Sequence, residues 1–341
     1  MEATQIVGID IGKRAFHVHG IGMHGCKTLQ KQLTRSQLRR LLATHPACTV
    51  AMEACGSAHH WARLARASGH EVRMISPQYV KPFVKTNQND RNDAEAICEA
   101  AVRPSMRFVP PKSVEQQDVF MMHRIRQRRV QRRTALSNQI RGLLLEYGVS
   151  IPVGVCRLRR QIPTILEDAS NELSDLAREL LAELRYELLA LEDQIRSIDR
   201  RIDIVFRRSE RCQRLAQIPG VGPLTATALE AAVGNGSEFG NGRHMAAWLG
   251  LVPRQFSTGG RNQLYGISKR GDRYIRTLLI HGARSAMLVM RRNGDPRKPW
   301  VDALKARSCH NVASVALANK VARVAWAMLA SGESYRPSLV N

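Results

Sequence analysis

The sequence predicts an α/β N-terminal domain, a long helical segment with a coiled coil, and a mainly α C-terminal domain with a helix-hairpin-helix-like motif. Short apolar strands alternate with helices at the N-terminal end, which is typical of an α/β layer. A long stretch without Pro or Gly follows, and a heptad pattern comes after it. Glycine-rich turns between apolar helices mark the remainder. We place these parts at residues 1–110, 111–210 and 211–341.

The charge of the chain indicates a polyanionic partner. Its 341 residues include 52 Lys and Arg against 29 Asp and Glu, a net charge of +23. Basic side chains that neutralise phosphates release counterions, so such an excess favours nucleic acid. The sequence has no apolar run of the roughly 18 residues that would predict a membrane span. Seven cysteines without a CxxC pair, and no secretory signal, favour a reducing cytoplasm over a zinc site.

Apolar runs and turn residues predict the N-terminal elements in order. The second strand forms a hairpin with the first, after the turn at residues 12–14. The predicted strands are 5–10, 15–21, 49–53 and 71–75, and the predicted helices are 57–67 and 91–102.

Four acidic residues stand where these elements begin or end. Asp10 and Glu53 each close a short apolar strand, and Asp90 and Asp93 are three residues apart on one helix face. If the two strands are neighbours, their ends meet and the helix can complete the cluster. Carboxylate oxygens are ligands for Mg²⁺ or Mn²⁺. A lone Asp after a strand is usually a turn or capping residue, so the inference depends on all four acids together.

The middle of the chain changes from strongly basic to strongly acidic. Residues 101–160 carry 13 Lys and Arg against 3 acids, and residues 112–141 predict one long helix. Like charges this close repel unless an anion is near. We expect nucleic-acid contacts from six arginines: Arg124, Arg126, Arg128, Arg129, Arg132 and Arg133.

Residues 161–200 carry 10 acids against 4 arginines, and their apolar residues form a heptad seam with alternating steps of four and three. The coiled coil pairs either with the preceding basic helix or with another subunit. The seam is Ala177, Leu181, Leu184, Leu188, Leu191, Ile195, Ile198 and Ile202.

The C-terminal part begins with the glycine-rich turn 218–226, of the helix-hairpin-helix kind, which offers backbone N–H groups to a phosphate. A loop is predicted at 250–266, between this turn and apolar helices at 272–290 and 312–330. The basic residues expected to contact phosphates are Arg254, Arg261, Lys269, Arg270, Arg273 and Arg276.

Several motifs in series resemble the DEDD transposases of the insertion-sequence 110 family, and most closely its 1111-type subgroup. The N-terminal motifs are VGIDIGK at 7–13, MEACG at 52–56 and NDRNDA at 89–94. The C-terminal motifs are IPGVG at 218–222, LGLVPR at 249–254, STGG at 257–260 and ISKRGDR at 267–273.

The resemblance implies a RuvC-like N-terminal domain of the ribonuclease-H kind, whose metal-binding tetrad is Asp10, Glu53, Asp90 and Asp93. It also implies a coiled coil used in assembly, a C-terminal serine nucleophile, and a structured (bridge) RNA that pairs with donor and target DNA. In strict register the serine position is Thr258, with Ser257 just before it. We assign the nucleophile to Ser257, since the β-methyl group of a threonine hinders its hydroxyl.

The expected function is therefore that of a transposase that cuts and rejoins donor and target DNA through a covalent serine–DNA intermediate, with Mg²⁺ or Mn²⁺ at the acids. We expect a homo-oligomer, a dimer or a tetramer, in the bacterial cytoplasm and associated with the nucleoid. One alternative is a metal-dependent nuclease like the Holliday-junction resolvases, without a covalent intermediate. Another is a nucleic-acid-binding protein without catalysis, which leaves the four acids unexplained.

Overall fold

The chain forms two compact units, Met1–Glu115 and Gln116–Asn341. The structure, a computed structural model, describes residues 3–84, 90–290 and 295–337, without the side chains of Asp90 and Arg91. The first unit is a mixed α/β layer and the second is mainly helical. This confirms the predicted change of fold class along the chain.

The first unit is built on a six-stranded sheet with the order β3-β2-β1-β4-β5-β6. Strands β1 to β3 form an antiparallel meander, β4 and β5 run parallel to β1, and β6 is antiparallel to β5. The strands are β1 (Ile6–Ile11), β2 (Ala15–Ile21), β3 (Lys27–Thr34), β4 (Thr49–Glu53), β5 (Glu71–Ile75) and β6 (Phe108–Val109).

Helices cover both faces of this sheet because the central strands are apolar on both sides. One core gathers Phe16, Leu38 and Trp61 under two helices, and the other gathers Ile75 and Ile97 under a third. The helices are α1 (Arg35–Thr44), α2 (Ala58–Ala67), α3 (Pro77–Val80) with a 3-10 turn at Lys81–Phe83, and α4 (Asp90–Ala101).

Nine helices and one hairpin make up the described part of the second unit. Its largest core lies among the C-terminal helices, and a smaller one lies among the first three. The elements are α5 (Val114–Leu145), α6 (Val155–Glu167), α7 (Asp175–Arg208), α8 (Glu210–Leu215), α9 (Pro223–Val233), α10 (Gly242–Trp248), β7 (Pro253–Thr258), β8 (Arg261–Ile267), α11 (Arg273–Val289), α12 (Lys298–Arg307) and α13 (His310–Ser331).

The heptad seam lies on α7, and all of its positions except Leu184 are buried. From Ala177 to Leu191 the seam packs against Ile140 of α5 and Ile162 of α6. Of the two partners that the sequence leaves open, the structure therefore shows the same chain along this stretch.

Within the described residues, α13 is long and apolar enough to be a candidate membrane span by length and composition. Half of its apolar window is buried inside the unit, where Leu317, Val321 and Leu329 join the main core. The core helix of a soluble protein passes the same test, so this helix is weak evidence for a membrane.

Candidate functional site

Asp10 and Glu53 lie side by side at the carboxyl ends of β1 and β4, and we call this end of the sheet the acidic edge. Strands β1 and β4 are parallel neighbours whose register pairs Ile9 with Met52, so the next residue of each strand is one of the two acids. Both acids are half-buried. The sequence expectation that these strand ends meet is confirmed by the register, because parallel neighbours end at the same edge.

Helix α4 approaches this edge unusually closely, and Gly8 permits it. A Cβ atom at Gly8 would lie 2.5 Å from the carbonyl oxygen of Ala94 and 2.6 Å from Cys98 Sγ. Only a residue without a side chain therefore lets α4 lie against β1 at this point. Asp93 directly precedes Ala94, so the same contact carries Asp93 toward the two strand acids.

The electrostatics of Glu53 agree with this placement. Burial raises the pKa of the Glu53 carboxyl, and the negative charges of Asp10 and Asp93 raise it further, whereas Lys81 lowers it. Burial also raises the pKa of the Cys55 thiol, with further contributions from Glu53 and Asp10. Like charges raise a carboxyl pKa only when they are near, so three of the four predicted acids share one electrostatic environment.

The three acids fit a hard divalent cation by chemistry, since all of their donors are carboxylate oxygens on adjoining elements. Over residues 3–84, 90–290 and 295–337, no group of three or more His, Cys, Asp or Glu side chains could hold a metal ion as placed. The side chain of Asp90, the fourth predicted acid, lies outside the described residues.

The predicted loop at 250–266 is wrong, because this segment forms the two-stranded hairpin β7–β8. Thr258 pairs with Arg261, so the turn has two residues, Gly259 and Gly260, with φ of +56° and +78°. Two central residues with positive φ are typical of the type I′ turn that suits the twist of a hairpin. The Gly-Gly pair between the two strands is the sequence signal from which this turn could have been predicted.

Ser257 and Thr258 point to opposite faces of this hairpin, because side chains alternate along a strand. Ser257 pairs with Asn262, and its Oγ accepts a hydrogen bond from Gln255 Nε2 at 2.8 Å. Gln255 Nε2 also lies 3.4 Å from Asn262 Oδ1. Both strands are exposed along nearly their whole length. The choice between the two hydroxyls is therefore a choice between two faces.

The basic residues around the hairpin divide into exposed and buried ones. Arg276 is buried and donates to the carbonyl oxygens of Leu249 at 2.9 Å and Arg270 at 2.7 Å. It therefore holds the turn before α11 and is not exposed to a phosphate. The exposed basic residues of this region are Arg254, Arg261, Lys269, Arg270 and Arg273.

Most of the predicted arginines of α5 have partners within the same unit. Arg129 Nη1 donates to the carbonyl oxygen of Gln194 at 3.0 Å, whereas Arg128 is exposed. Helix α7 therefore supplies partners for several of the arginines that the sequence analysis expected to contact nucleic acid. The ion pairs are Arg124–Asp272 at 3.1 Å, Arg126–Asp199 at 2.5 Å and Arg132–Glu187 at 3.2 Å.

His123 is a buried polar residue that the sequence does not single out. Its Nδ1 lies 3.0 Å from the Tyr274 hydroxyl and its Nε2 lies 3.0 Å from Thr227 Oγ1, so it joins α5, α11 and α9. Burial, with the charge of Arg126, lowers the pKa of His123 to about 4. A histidine within an arginine-rich run gives no periodic signal that would distinguish it from its exposed neighbours.

Comparison with known proteins gives matches along nearly the whole chain. A transposase model of the DEDD type matches residues 7–149, and the model of the IS116/IS110/IS902 transposase family matches residues 212–298. A probable family 20 transposase of Pseudomonas aeruginosa is 49% identical over 97% of this chain and 98% of its own length. The transposase of element IS1111A from Coxiella burnetii is 45% identical over 98% and 92%. The transposase of element IS1328 from Yersinia enterocolitica is 43% identical over 97% and 98%.

Proposed function

Because the chain belongs to the IS116/IS110/IS902 family of transposases, enzymes that cut and rejoin DNA, we propose that it moves an insertion sequence through a covalent serine–DNA intermediate. The acids Asp10, Glu53, Asp90 and Asp93 form its metal-binding centre, and Ser257 is the nucleophile. The three parts 1–110, 111–210 and 211–341 are its RuvC-like catalytic domain, its basic helix with the coiled coil, and its transposase domain with the serine.

The observation that carries this proposal is the meeting of Asp10 and Glu53 at neighbouring parallel strand ends, with α4 packed on β1. A sheet of an antiparallel meander followed by two parallel strands supports a ribonuclease-H-like layer. Placing acids at its carboxyl edge leaves them half-exposed to a substrate while their backbones are fixed. A non-catalytic binding protein has no use for such a group in a chain of net charge +23.

A bound Mg²⁺ or Mn²⁺ would act as a Lewis acid on phosphate oxygens and would offset the mutual repulsion of the carboxylates. Asp10 and Glu53 would be the ligands whose backbones the sheet holds. Asp93 and Asp90, from the first turn of α4, would complete the set.

The exchange begins when Ser257 Oγ attacks a phosphorus atom of the DNA backbone. An Oγ–P bond forms and the bond from phosphorus to one sugar oxygen breaks. The serine proton passes to a base, and the departing sugar oxygen takes up a proton as a hydroxyl. A hydroxyl of another DNA end then reverses these steps and is joined, so the phosphodiester energy is conserved.

Two features of the hairpin support Ser257 over Thr258. The Ser257 hydroxyl accepts from Gln255 Nε2, which fixes its oxygen beside Asn262. Its hydroxyl also lacks the β-methyl group that hinders threonine. Arg254, Arg261, Lys269, Arg270 and Arg273 are exposed around the hairpin and are proposed to contact phosphates.

The proposal also includes a bridge RNA and a homo-oligomer, a dimer or a tetramer. Arg128 of α5 is exposed, which supports contact between this helix and nucleic acid. The other arginines of α5 would join that contact by exchanging their present partners for phosphates: Arg124, Arg126, Arg129, Arg132 and Arg133. Leu176, Leu180 and Tyr186 are exposed apolar residues on α7 and support contact with a second subunit. Such a protein works in the cytoplasm, on the nucleoid.

A denaturant-stable protein–DNA adduct is the direct test. We would incubate the full chain with its element-derived RNA, donor and target DNA and Mg²⁺, and map the attached residue by mass spectrometry. We expect the adduct at Ser257, its loss in Ser257→Ala, and its retention in Thr258→Val, the matched change on the opposite face.

An adduct at Thr258 would move the nucleophile to the other face of the hairpin. Cleavage that depends on Asp10 but leaves free ends and no adduct would replace the proposal with the metal-dependent, resolvase-like nuclease. Equal exchange in the presence and absence of the element RNA would remove the guide from the proposal.

A further inference from the structure

A second group of basic residues lies in the first unit, on helices α1 and α2. Arg35 and Arg39 are one helical turn apart on α1, and His60 and Arg63 are one turn apart on α2. We call these four residues the α1–α2 surface. Neither helix contains an acidic residue, and from residue 11 to residue 70 the sequence has nine Lys and Arg and a single acid, Glu53.

Two of the three guanidinium groups of this surface, those of Arg35 and Arg63, are held by contacts that leave their charge in place. Arg35 stacks over the rings of Phe16 and Trp61, 5.7 and 5.3 Å from the centroids. Arg63 Nη1 donates to the carbonyl oxygen of Lys112 at 2.8 Å. A ring face and a carbonyl oxygen orient a guanidinium without neutralising it, so the charge is preorganised for an anion.

The charges of the surface converge on His60. Burial lowers the pKa of His60, and the positive charges of Arg35, Arg63 and Arg39 lower it further. One acid, Glu115, lies near Arg63. A hydrogen bond from Ser113 lowers the pKa of the Glu115 carboxyl, and the positive charge of Arg63 makes a smaller contribution in the same direction. Positive groups that crowd one another in this way are relieved by a bound anion.

The topology places the start of α1 and α2 at the end of the sheet that carries the acids. The two helices cover one face, whereas Asp10 and Glu53, in phase with Gly8 and Ala51, lie on the face that α4 covers. Strands β3, β1 and β4 run in the same direction, so Thr34, Asp10 and Glu53 all lie at the same end of the sheet. Helix α1 begins directly after Thr34, and α2 begins five residues after Glu53. Both helices therefore start at the edge that carries the acids, and their basic residues lead away from it.

The chemistry of the surface fits the backbone of a duplex. Phe16 and Trp61, the rings under Arg35, are fully buried and offer no platform on which an unpaired base could stack. His60, the one ring of the surface itself, packs edge to face with Trp61 at 5.2 Å between ring centroids. Positive side chains one helical turn apart suit the repeated phosphates of a double strand. The family to which the chain belongs cuts and rejoins DNA, so the duplex beside the acids is DNA.

We propose that the α1–α2 surface binds the phosphate backbone of the DNA duplex whose strand is cut at the acidic edge. This inference rests on the proposed function, because it takes the acids to be the cleavage centre. The contacts position the duplex and carry no sequence information, since phosphates are the same at every base pair.

The test measures how the affinity of the full chain for a DNA duplex of arbitrary sequence, about 30 bp, varies over roughly 50–300 mM salt. EDTA keeps cleavage out of the measurement. We expect Arg39→Gln to weaken binding roughly three- to tenfold and to reduce the slope of log K against log salt by about 0.9, the loss of one phosphate contact. Arg39→Lys should keep the slope, because it keeps the charge.

Arg40→Gln is the matched control, since Arg40 is the neighbouring exposed arginine on another side of α1. Equal slopes for Arg39→Gln and Arg40→Gln would overturn the proposal. So would a loss confined to a duplex RNA of the same length, which would make the partner RNA. A cleavage assay distinguishes failure of this proposal from failure of the proposed function. Asp10-dependent cleavage together with an unchanged salt slope for Arg39→Gln would contradict only the binding role of the α1–α2 surface. A reduced salt slope without any cleavage would contradict only the proposed function.

Discussion

The acidic edge and the serine hairpin carry the two halves of the proposed chemistry, and they are built in opposite ways. Asp10 and Glu53 lie at the ends of central strands, and helices pack on both faces of the sheet that these strands form. Ser257 stands on a hairpin of two strands that are exposed on both faces. The first region is fixed by packing, and the second is exposed and is held by its own ladder and its turn.

This difference matches what the proposed function asks of each region. Ligands for a metal ion must keep their spacing, and a packed sheet gives them little freedom. A nucleophile must reach a phosphate and later release it, and an exposed hairpin can change position at a small cost in free energy. At the acidic edge we therefore expect that removing a carboxylate lowers DNA cleavage without lowering the stability of the fold. At the hairpin we expect that changes alter strand exchange while the stability of the fold stays constant.

The largest effect should come from Asp10→Asn. Removing one carboxylate should lower DNA cleavage by at least about 10²–10³-fold, the scale of losing a preorganised electrostatic group. In EDTA the thermal midpoint should stay the same or rise, because one source of repulsion on Glu53 is gone. Cleavage kinetics and thermal melting in EDTA check the two halves. A lower midpoint with unchanged cleavage would show that Asp10 is a structural residue.

The next effect is on packing, at Gly8→Ala. The new Cβ would lie 2.5 Å from the Ala94 carbonyl oxygen, so α4 must move and the unit should lose about 1–3 kcal/mol of stability. Gly56→Ala is the control, since nothing lies within 4 Å of the Cβ it would add. Denaturant unfolding measures both variants. Equal unfolding free energies would show that α4 adjusts without cost.

The smallest effect should follow Gly260→Ala in the hairpin turn. Its φ of +78° costs an L-residue roughly 1 kcal/mol, although no neighbour lies within 4 Å of an added Cβ. Strand exchange should fall about fivefold for that energy, with no change in the thermal midpoint. Gly266→Ala, in β8 and outside the positive-φ region, should change neither. A lower midpoint for Gly260→Ala would contradict the idea that the hairpin is independent of the core.

The parts of the fold that could be predicted from sequence are those where burial leaves a pattern. Strands β1 and β4 are apolar runs with an acid at or near the end, so their approximate bounds follow from periodicity. That they are parallel neighbours, which brings Asp10 and Glu53 together, is left open by the sequence and is shown by the register. Strand β3 is a polar edge strand that is largely exposed, and its sequence, KTLQKQLT, does not alternate. Strand β3 is not predicted for that reason. Helix α1 is not predicted either, although Thr34 and Gln37 form a capping box before it and its buried residues, Leu38 and Leu42, are four residues apart.

The remaining differences come from contacts between segments that are distant in sequence. The six arginines of α5 indicate a surface for nucleic acid as long as the helix is considered alone. Asp199 and Glu187 of α7 pair with two of them, and no local pattern shows that these helices meet. The hairpin was missed for another reason: its exposed strands lack apolar alternation, and its only signal is the Gly-Gly turn.

The pairing of α5 with α7 has a consequence for the order of synthesis. Arg126 and Asp199 are 73 residues apart, so a ribosome adding about 5–20 residues per second completes the basic helix several seconds before its acidic partner exists. Throughout that interval Arg126 and Arg132 lack the carboxylates with which they pair in the folded unit, so their charges are open to other anions. Translation of α7, which ends at residue 208 of 341, then supplies the acidic partners of this helix. The chain therefore shields its own most basic helix well before its synthesis is complete.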